Sequence, residues 1–385
     1  MQSTKGWTGT QMRSGYVLKN DPQPSNLAAK KRRISMNGYW SRLARKLEPY
    51  VPGEQPGDGT YIKLNTNENP YGPSPKVLEA VRRAVDESLR LYPDPSCDAF
   101  ISAVSARYGV KKDQVFAGNG SDEVLAFSFM AFFDPDRPIV FPDITYSFYP
   151  VYATLFGLNY VTVPLDSEFK IRPEQMRSSG GVVIANPNAP TGRALPLSEI
   201  RSILDGNPGA VVIVDEAYVD FGGQSAIGLI DEYPNLLVVH TFSKSRALAG
   251  MRIGLAFGDS GLIRALESVK NSFNSYTLDR LALAAGTAAL EDDEYYKGTS
   301  RKVIETREWF TAELRKRDFS VTDSSANFVF ASHSRVRAEE LYHRLRDNRI
   351  LVRYFKKPLI DNHLRISIGT DEDMRTVIEV LDRIL

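Results

Sequence analysis

From residue 75 to residue 91 the chain reads PKVLEAVRRAVDESLRL, with apolar side chains at 77, 78, 81, 84, 85 and 89. That spacing predicts a helix with one buried stripe, opened by Pro75 and closed by YPDPS. A second helix is expected over residues 96 to 108. Beyond it the period changes. Short apolar runs (QVFAG, PIVFP, YVTVPL, GGVVIANP, AVVIVDEAY, LLVVHTFS and RIGLAFGD) alternate with helical patterns opening near 121, 147 and 197. Runs that are apolar without alternation belong to strands buried on both faces. The pattern therefore predicts an α/β fold with a large, mostly parallel sheet covered by helices on both sides. From residue 279 the text changes again, to a long helical tract, NFVFASH, a helix over 337 to 347, ILVRYF, HLRISIGT and a closing helix. These predict a smaller C-terminal α+β domain. The Pro-, Gly- and Asn-rich stretch from 48 to 72 is expected to be extended and to wrap a surface. The expected organisation is an arm over 36–70, a large domain over 71–278 and a small domain over 279–385.

With 385 residues, 42% of them hydrophobic, the chain can bury a sizeable core. It holds no apolar run long enough to span a bilayer. Cys97 is the single cysteine, which excludes an internal disulfide framework and fits a reducing, cytoplasmic setting. His240, His333, His343 and His363 lack metal-ligand spacing, so no metal is expected. The net charge of +1 hides an asymmetry, because residues 1 to 35 carry seven Lys/Arg and one acid, Asp21. This segment includes KKRR at 30 to 33 but no secretory apolar stretch, and it is expected to be a disordered basic tail or a non-native extension. A nucleic-acid-binding arm is the alternative, and nothing else in the chain supports it.

Ligands of parallel sheets collect at the carboxyl ends of the strands, where the informative polar residues of this chain fall. AGNGSDEVLAF, residues 117 to 127, closes a strand and opens a helix, so free N–H groups at Gly120, Ser121 and Asp122 could cradle a phosphate. Taken alone, the stretch fits an ordinary tight turn equally well, and no Gly-Lys-Ser/Thr follows to make it a P-loop. Asp215 ends an apolar run in VVIVDEAY, where a carboxylate needs a cationic partner unless it caps a helix. Tyr218 can reach the same place. In SKSRALAGMRIG, Lys244 could form a Schiff base with a carbonyl, since desolvation and nearby cations keep an amine nucleophilic. Ser243 and Arg252 beside it could clamp a phosphate. A solvated loop lysine is the alternative, and Asp215 argues against it.

GNGSDE, NPNAPTG (186 to 192), DEAY (215 to 218) and SKSRALAGMRIG (243 to 254), in this order, resemble the fold type I pyridoxal-phosphate aminotransferases. LNTNENPYGPSP, RLYPDPS and LRISIGT look most like the histidinol-phosphate branch of that family. The resemblance implies pyridoxal 5'-phosphate joined to Lys244, which would also serve as general acid and base. It further implies that Asp215 pairs with the ring nitrogen, that Tyr218 bonds the ring's 3′ oxygen and that Tyr146 stacks on the ring. Ser121, Asp122, Ser243 and Arg252 would hold the phosphate. Tyr92 would reach it from a neighbouring subunit, making the enzyme a homodimer with a shared site. Where the family commonly has Asn before PTG this chain has Ala189, and Asn188 is expected to stand in for it.

On the substrate side, the resemblance implies that Arg365 binds a carboxylate, that Arg353 and Tyr50 bind a substrate phosphate, and that Asn327 lies in the pocket. The expected reaction exchanges the amino group between histidinol phosphate and 2-oxoglutarate, giving imidazole acetol phosphate and glutamate, with no nucleic-acid or membrane partner. An aromatic or broad-specificity aminotransferase would share every cofactor residue, and a phosphothreonine-type decarboxylase of the same fold also binds a phosphorylated amine. A silent regulatory module would need a DNA-reading domain that residues 1 to 35 do not supply.

Overall fold

The computed structural model describes residues 39–56 and 61–385; the basic tail over 1–35 lies outside the described residues. The chain divides into two compact units, Met1–Leu47 and Glu48–Leu385. In the first, the described part is helix Arg42–Lys46, capped by Ser41, whose Oγ accepts the Ala44 N–H at 3.1 Å. The second contains every described strand, from β1 (Ile62–Lys63) onward.

The uninterrupted apolar runs become one seven-stranded sheet: β2 (Val115–Asn119), β3 (Ile139–Pro142), β4 (Tyr160–Val163), β5 (Val182–Ala185), β6 (Val212–Asp215), β7 (Leu236–Thr241) and β8 (Ile253–Gly258), in the spatial order β2-β8-β7-β6-β5-β3-β4. Val182, Val212 and Leu236 pack into the core on one face and Val183, Ile213 and Leu237 on the other, each 0% exposed. Burial on both faces is what the absence of alternation signals. One strand departs from the parallel pattern: β8 runs antiparallel to both β7 and β2. Its link from β7, residues 242–252, contains only the short 3-10 turn Ala249–Met251, whereas a parallel crossover needs a dozen or more residues and usually a helix. The chain therefore folds straight back, and the start of β8 lies at the carboxyl ends of its neighbours, with Thr241 opposite Gly254.

The smaller sheet has the order β12-β13-β10-β9, built from β9 (Phe319–Val321), β10 (Phe328–His333), β12 (Arg353–Tyr354) and β13 (Leu364–Ser367), all antiparallel. β9 has too few residues to show a period in the sequence. Helices Asp293–Arg315, Ala338–Asp347 and Asp371–Ile384 close its core around Phe310, Leu345 and Val377. β1 pairs in parallel with β11 (Ile350–Leu351), and Leu64 O accepts the Ser367 N–H at 3.0 Å, which ties the extended N-terminal stretch to this sheet.

Two helical expectations are corrected. The helix from Pro75 ends at Ala84 and a separate 3-10 turn covers Glu87–Arg90, because Asp86 caps that turn and Val85 and Leu89, at 57% and 50% exposed, have no core to follow. The tract after 279 breaks at Asp292 into Arg280–Glu291, which packs on helices Pro75–Ala84 and Asp98–Tyr108, and Asp293–Arg315. Among the described residues no helix is long and apolar enough to cross a membrane.

Candidate active site

A cavity of about 270 Å³ opens at the carboxyl ends of the parallel strands. Ser121, Asp122, Tyr146, Asp215 and Tyr218 line it, and so do Ser243, Lys244 and Arg252. Tyr50, Arg353 and Arg365 complete its wall and are shared with an adjoining chamber of about 280 Å³.

One end is built for an anion. Helix Gly120–Phe132 begins with no side-chain cap from Asn119, leaving first-turn N–H groups without an intrahelical partner. Glycine at 254 lets β8 approach that terminus, since a Cβ there would meet Ser121 N at 2.4 Å. Arg252, first to follow the 3-10 turn and in the left-handed region at φ 53°, turns its Nη2 to Asp122 Oδ2 at 3.2 Å. The Tyr146 hydroxyl holds Asp122 Oδ1 at 2.8 Å. Ser243 Oγ lies 3.0 Å from Thr241 Oγ1, and the residue lines the cavity.

Asp215 sits at the opposite end. It is the last residue of β6 and 5% exposed; Oδ2 accepts the Tyr149 O–H at 3.0 Å and Oδ1 the Ala217 N–H at 3.2 Å. Among the described residues no cation pairs with it, and burial pushes its carboxyl up to about 6. Between the two ends, Lys244 Nζ donates to Thr66 O at 3.2 Å and lies 5.7 Å from the Tyr218 ring centre. Burial, aided by the Arg365 charge, lowers its amine to about 8. Asn69 Nδ2 pins the Lys244 loop through the carbonyls of Lys244 and Ser245, at 3.0 and 3.2 Å.

Arg365 projects from β13 away from the face carrying Leu364 and Ile366; Nη2 donates to Asn65 O at 2.9 Å while Nε is buried without a partner. The guanidinium lies over Phe328 and Phe355, at 5.5 and 5.7 Å. Arg353 Nη2 bonds Val51 O at 3.3 Å, and Tyr50 packs on Phe148 with ring centres 4.6 Å apart.

Three candidates do not line this cavity. Asn188 is one: Nδ2 donates to Ile144 O at 2.9 Å and Thr191 Oγ1 at 3.1 Å, and Oδ1 accepts from Thr145 Oγ1 at 2.7 Å. Its amide is engaged behind the loop while Ala189 lines the cavity. Asn327 lies behind the wall, 0% exposed, with Nδ2 on Asn67 O at 3.0 Å. Tyr92 is 76% exposed, stacked on Tyr276 at 4.5 Å. Sequence reasoning missed Tyr149, which reads as core, and Asn67, whose Nδ2 donates to the Tyr218 hydroxyl at 3.0 Å. The amide cluster in LNTNENP was the available signal for Asn67.

A buried carboxylate without a cation, an amine of lowered pKa and an anion cradle suit a phosphorylated aldehyde on a protonatable ring. The sequence profile of the family described as aminotransferase class I and II matches residues 59–381. The histidinol-phosphate aminotransferase of Clostridium acetobutylicum is 54% identical over 350 residues, 91% of this chain and 99% of that protein. The one from Aromatoleum aromaticum is 54% identical over 355 residues, 91% of this chain and all of that protein. Among solved structures, the Sinorhizobium meliloti histidinol-phosphate aminotransferase in complex with pyridoxal-5'-phosphate shares the fold, with a TM-score of 0.82 at 24% identity, covering 90% of this chain and 98% of that one. The chain belongs to the class I and II aminotransferases, within the histidinol-phosphate aminotransferase family.

Proposed function

We propose that the protein uses pyridoxal 5'-phosphate to exchange an amino group between histidinol phosphate and 2-oxoglutarate, in two half-reactions at one site. The observation that carries the substrate assignment is a second cation, Arg353, which with Tyr50 lines the same cavity as Arg365, apart from the anion cradle. Histidinol phosphate has a phosphate and no carboxylate, while 2-oxoglutarate has only carboxylates. Arg353 with Tyr50 serves the first and Arg365 the second.

The bound cofactor supplies a ring that draws electrons from the bond broken at the substrate α-carbon. Lys244 would anchor it covalently and, once freed by substrate, its Nζ would carry the proton from the substrate α-carbon to the cofactor carbon that had borne the lysine link. Asp215 would keep a proton on the ring nitrogen, Tyr218 would donate to the ring oxygen, and Tyr146 would pack against the ring. Ser121 and Asp122 N–H groups, the Ser243 hydroxyl and Arg252 hold the phosphate. In this reading residues 71–278 form the cofactor domain, and residues 279–385 with the arm residues 61–70 form the substrate-closing part. Val85, Leu89, Leu91 and Tyr92 are exposed and Tyr92 stacks on Tyr276, apolar surface suited to a second copy that would present Tyr92 to the neighbouring phosphate. This reading makes the enzyme a homodimer, and its single cysteine suits a reducing, cytoplasmic setting.

The adjoining chamber carries Ile144, Phe355 and Leu359, which would also accept an aromatic side chain. A single-turnover experiment separates the readings: the cofactor-loaded protein is mixed, without keto acid, with histidinol phosphate or with phenylalanine. Rapid loss of the visible colour with histidinol phosphate alone is expected. Arg353→Ala should raise the histidinol phosphate concentration needed by roughly 10–100-fold, the worth of one charged hydrogen-bond pair. Loss of colour with phenylalanine alone would move the substrate to the aromatic class.

A further inference from the structure

We propose that Asn67 is a positioning residue that turns the hydrogen of the Tyr218 hydroxyl into the cavity; the inference rests on the cofactor reading above. Asn67 is 1% exposed and in the left-handed region at φ 56°, where asparagine is better tolerated than most residues. Ser367 on β13 decides which way its amide faces. Ser367 Oγ accepts the Asn67 backbone N–H at 2.9 Å and donates to Asn67 Oδ1 at 2.8 Å. A reversed amide would leave the Ser367 hydrogen without an acceptor, so this bonding pattern assigns the orientation. Nδ2 is then the group left to face Tyr218, 3.0 Å from its Oη.

An amide NH₂ only donates, so Tyr218 Oη accepts in that bond and its own hydrogen is spent elsewhere. Among the described residues none accepts it, and Tyr218 lines the cavity. Burial raises the Tyr218 pKa, so the phenol keeps its proton. Asn327 completes the arrangement by holding Asn67 O through its Nδ2, which gives this buried amide a place behind the wall. With Ala189 in place of the usual asparagine, Tyr218 is left as the donor to the ring oxygen, and Asn67 and Ser367 set its direction.

The test is the pH midpoint of the visible colour change of the pyridoxal phosphate-loaded protein. Wild type is compared with Tyr218→Phe, Asn67→Gly, Asn67→Asp and the double variant Asn67→Gly/Tyr218→Phe. Glycine keeps the left-handed backbone without strain and removes the donor. An ionised aspartate, near-isosteric with asparagine, can only accept and would draw the Tyr218 hydrogen out of the cavity. Asn67→Gly should move the midpoint in the direction of Tyr218→Phe but less far, by on the order of half a pH unit. Asn67→Asp should move it about as far as Tyr218→Phe. In the double variant Asn67→Gly should add nothing, because its effect passes through the missing hydroxyl. An unmoved midpoint in both Asn67 variants, with Tyr218→Phe shifted, overturns the positioning role and leaves the cofactor reading standing. Additive shifts overturn it as well. A wild-type protein that takes up no pyridoxal phosphate, or a Tyr218→Phe midpoint equal to wild type, overturns the reading beneath it too.

Discussion

Replacing Lys244 by alanine is expected to give a folded protein that binds pyridoxal phosphate without a covalent link and turns over at least about 10³-fold more slowly. Removing the amine does little to the scaffold. Among the described residues its one hydrogen bond is to the Thr66 carbonyl, while the loop is fixed independently by Asn69 and by the Phe242 N–H on Ile253 O at 3.0 Å. Deleting a charge from a buried site also removes its desolvation cost. The melting temperature should therefore stay close to that of wild type. Borohydride reduction followed by mass measurement should leave the cofactor attached to wild type and absent from the variant. The amine also sets a pH dependence. Because burial holds it near 8, below the ordinary 10.5, the neutral, nucleophilic fraction rises with pH and is largely present above 8. Covalent capture of added pyridoxal phosphate by cofactor-free protein should rise with a midpoint near pH 8 and level off about one unit above it. A Lys244→Ala enzyme with wild-type activity would overturn the mechanism.

The chemistry of this site was legible where a polar residue interrupts an apolar run. Asp215 and Lys244 stand out because a carboxylate and an amine at strand ends would be costly without a purpose. What the sequence left unread was direction. Arg252 lies near Lys244 because β8 folds back antiparallel, a consequence of the short 242–252 link and not of any residue pattern. Asn188 and Ala189 are adjacent in sequence, yet one faces the cavity and the other the loop behind it, and no periodicity in NPNAPTG distinguishes them. Tyr149 looks like core because it is core; its hydroxyl needs a partner, and only the fold shows that the partner is Asp215. The alternation in HLRISIGT did place Arg365 on the face opposite Leu364 and Ile366, because a strand has a strict two-residue period.

Asp215→Asn is expected to have the second large effect, and its sign depends on whether the cofactor is present. The cofactor-free protein holds a carboxyl whose pKa is raised by burial from 3.8 to about 6. The folded state then binds more protons than the unfolded chain between these values, so stability falls as pH rises from about 4 to about 6 and stays lower above that. At about 1.4 kcal/mol per pKa unit, the cost at neutral pH is on the order of 2 to 3 kcal/mol. Asparagine keeps the shape, accepts the Ala217 N–H, and offers Nδ2 to a Tyr149 hydroxyl that can rotate to accept. Cofactor-free Asp215→Asn should thus melt above cofactor-free wild type at pH 7, with the gap closing as pH falls toward 4. With pyridoxal phosphate bound, the carboxylate gains its cationic partner and the gap should shrink or reverse. Turnover should fall by roughly 10²–10⁴-fold, because nothing then keeps the ring nitrogen protonated. Cofactor affinity should fall far less, since in the proposed arrangement Ser121, Ser243 and Arg252, which line the same cavity, hold the phosphate end. Equal melting temperatures at pH 7 without cofactor, or turnover within tenfold of wild type, would show that Asp215 is only a structural carboxylate. The stability it is expected to cost points to a strand end arranged for a cation that none of the described residues supplies.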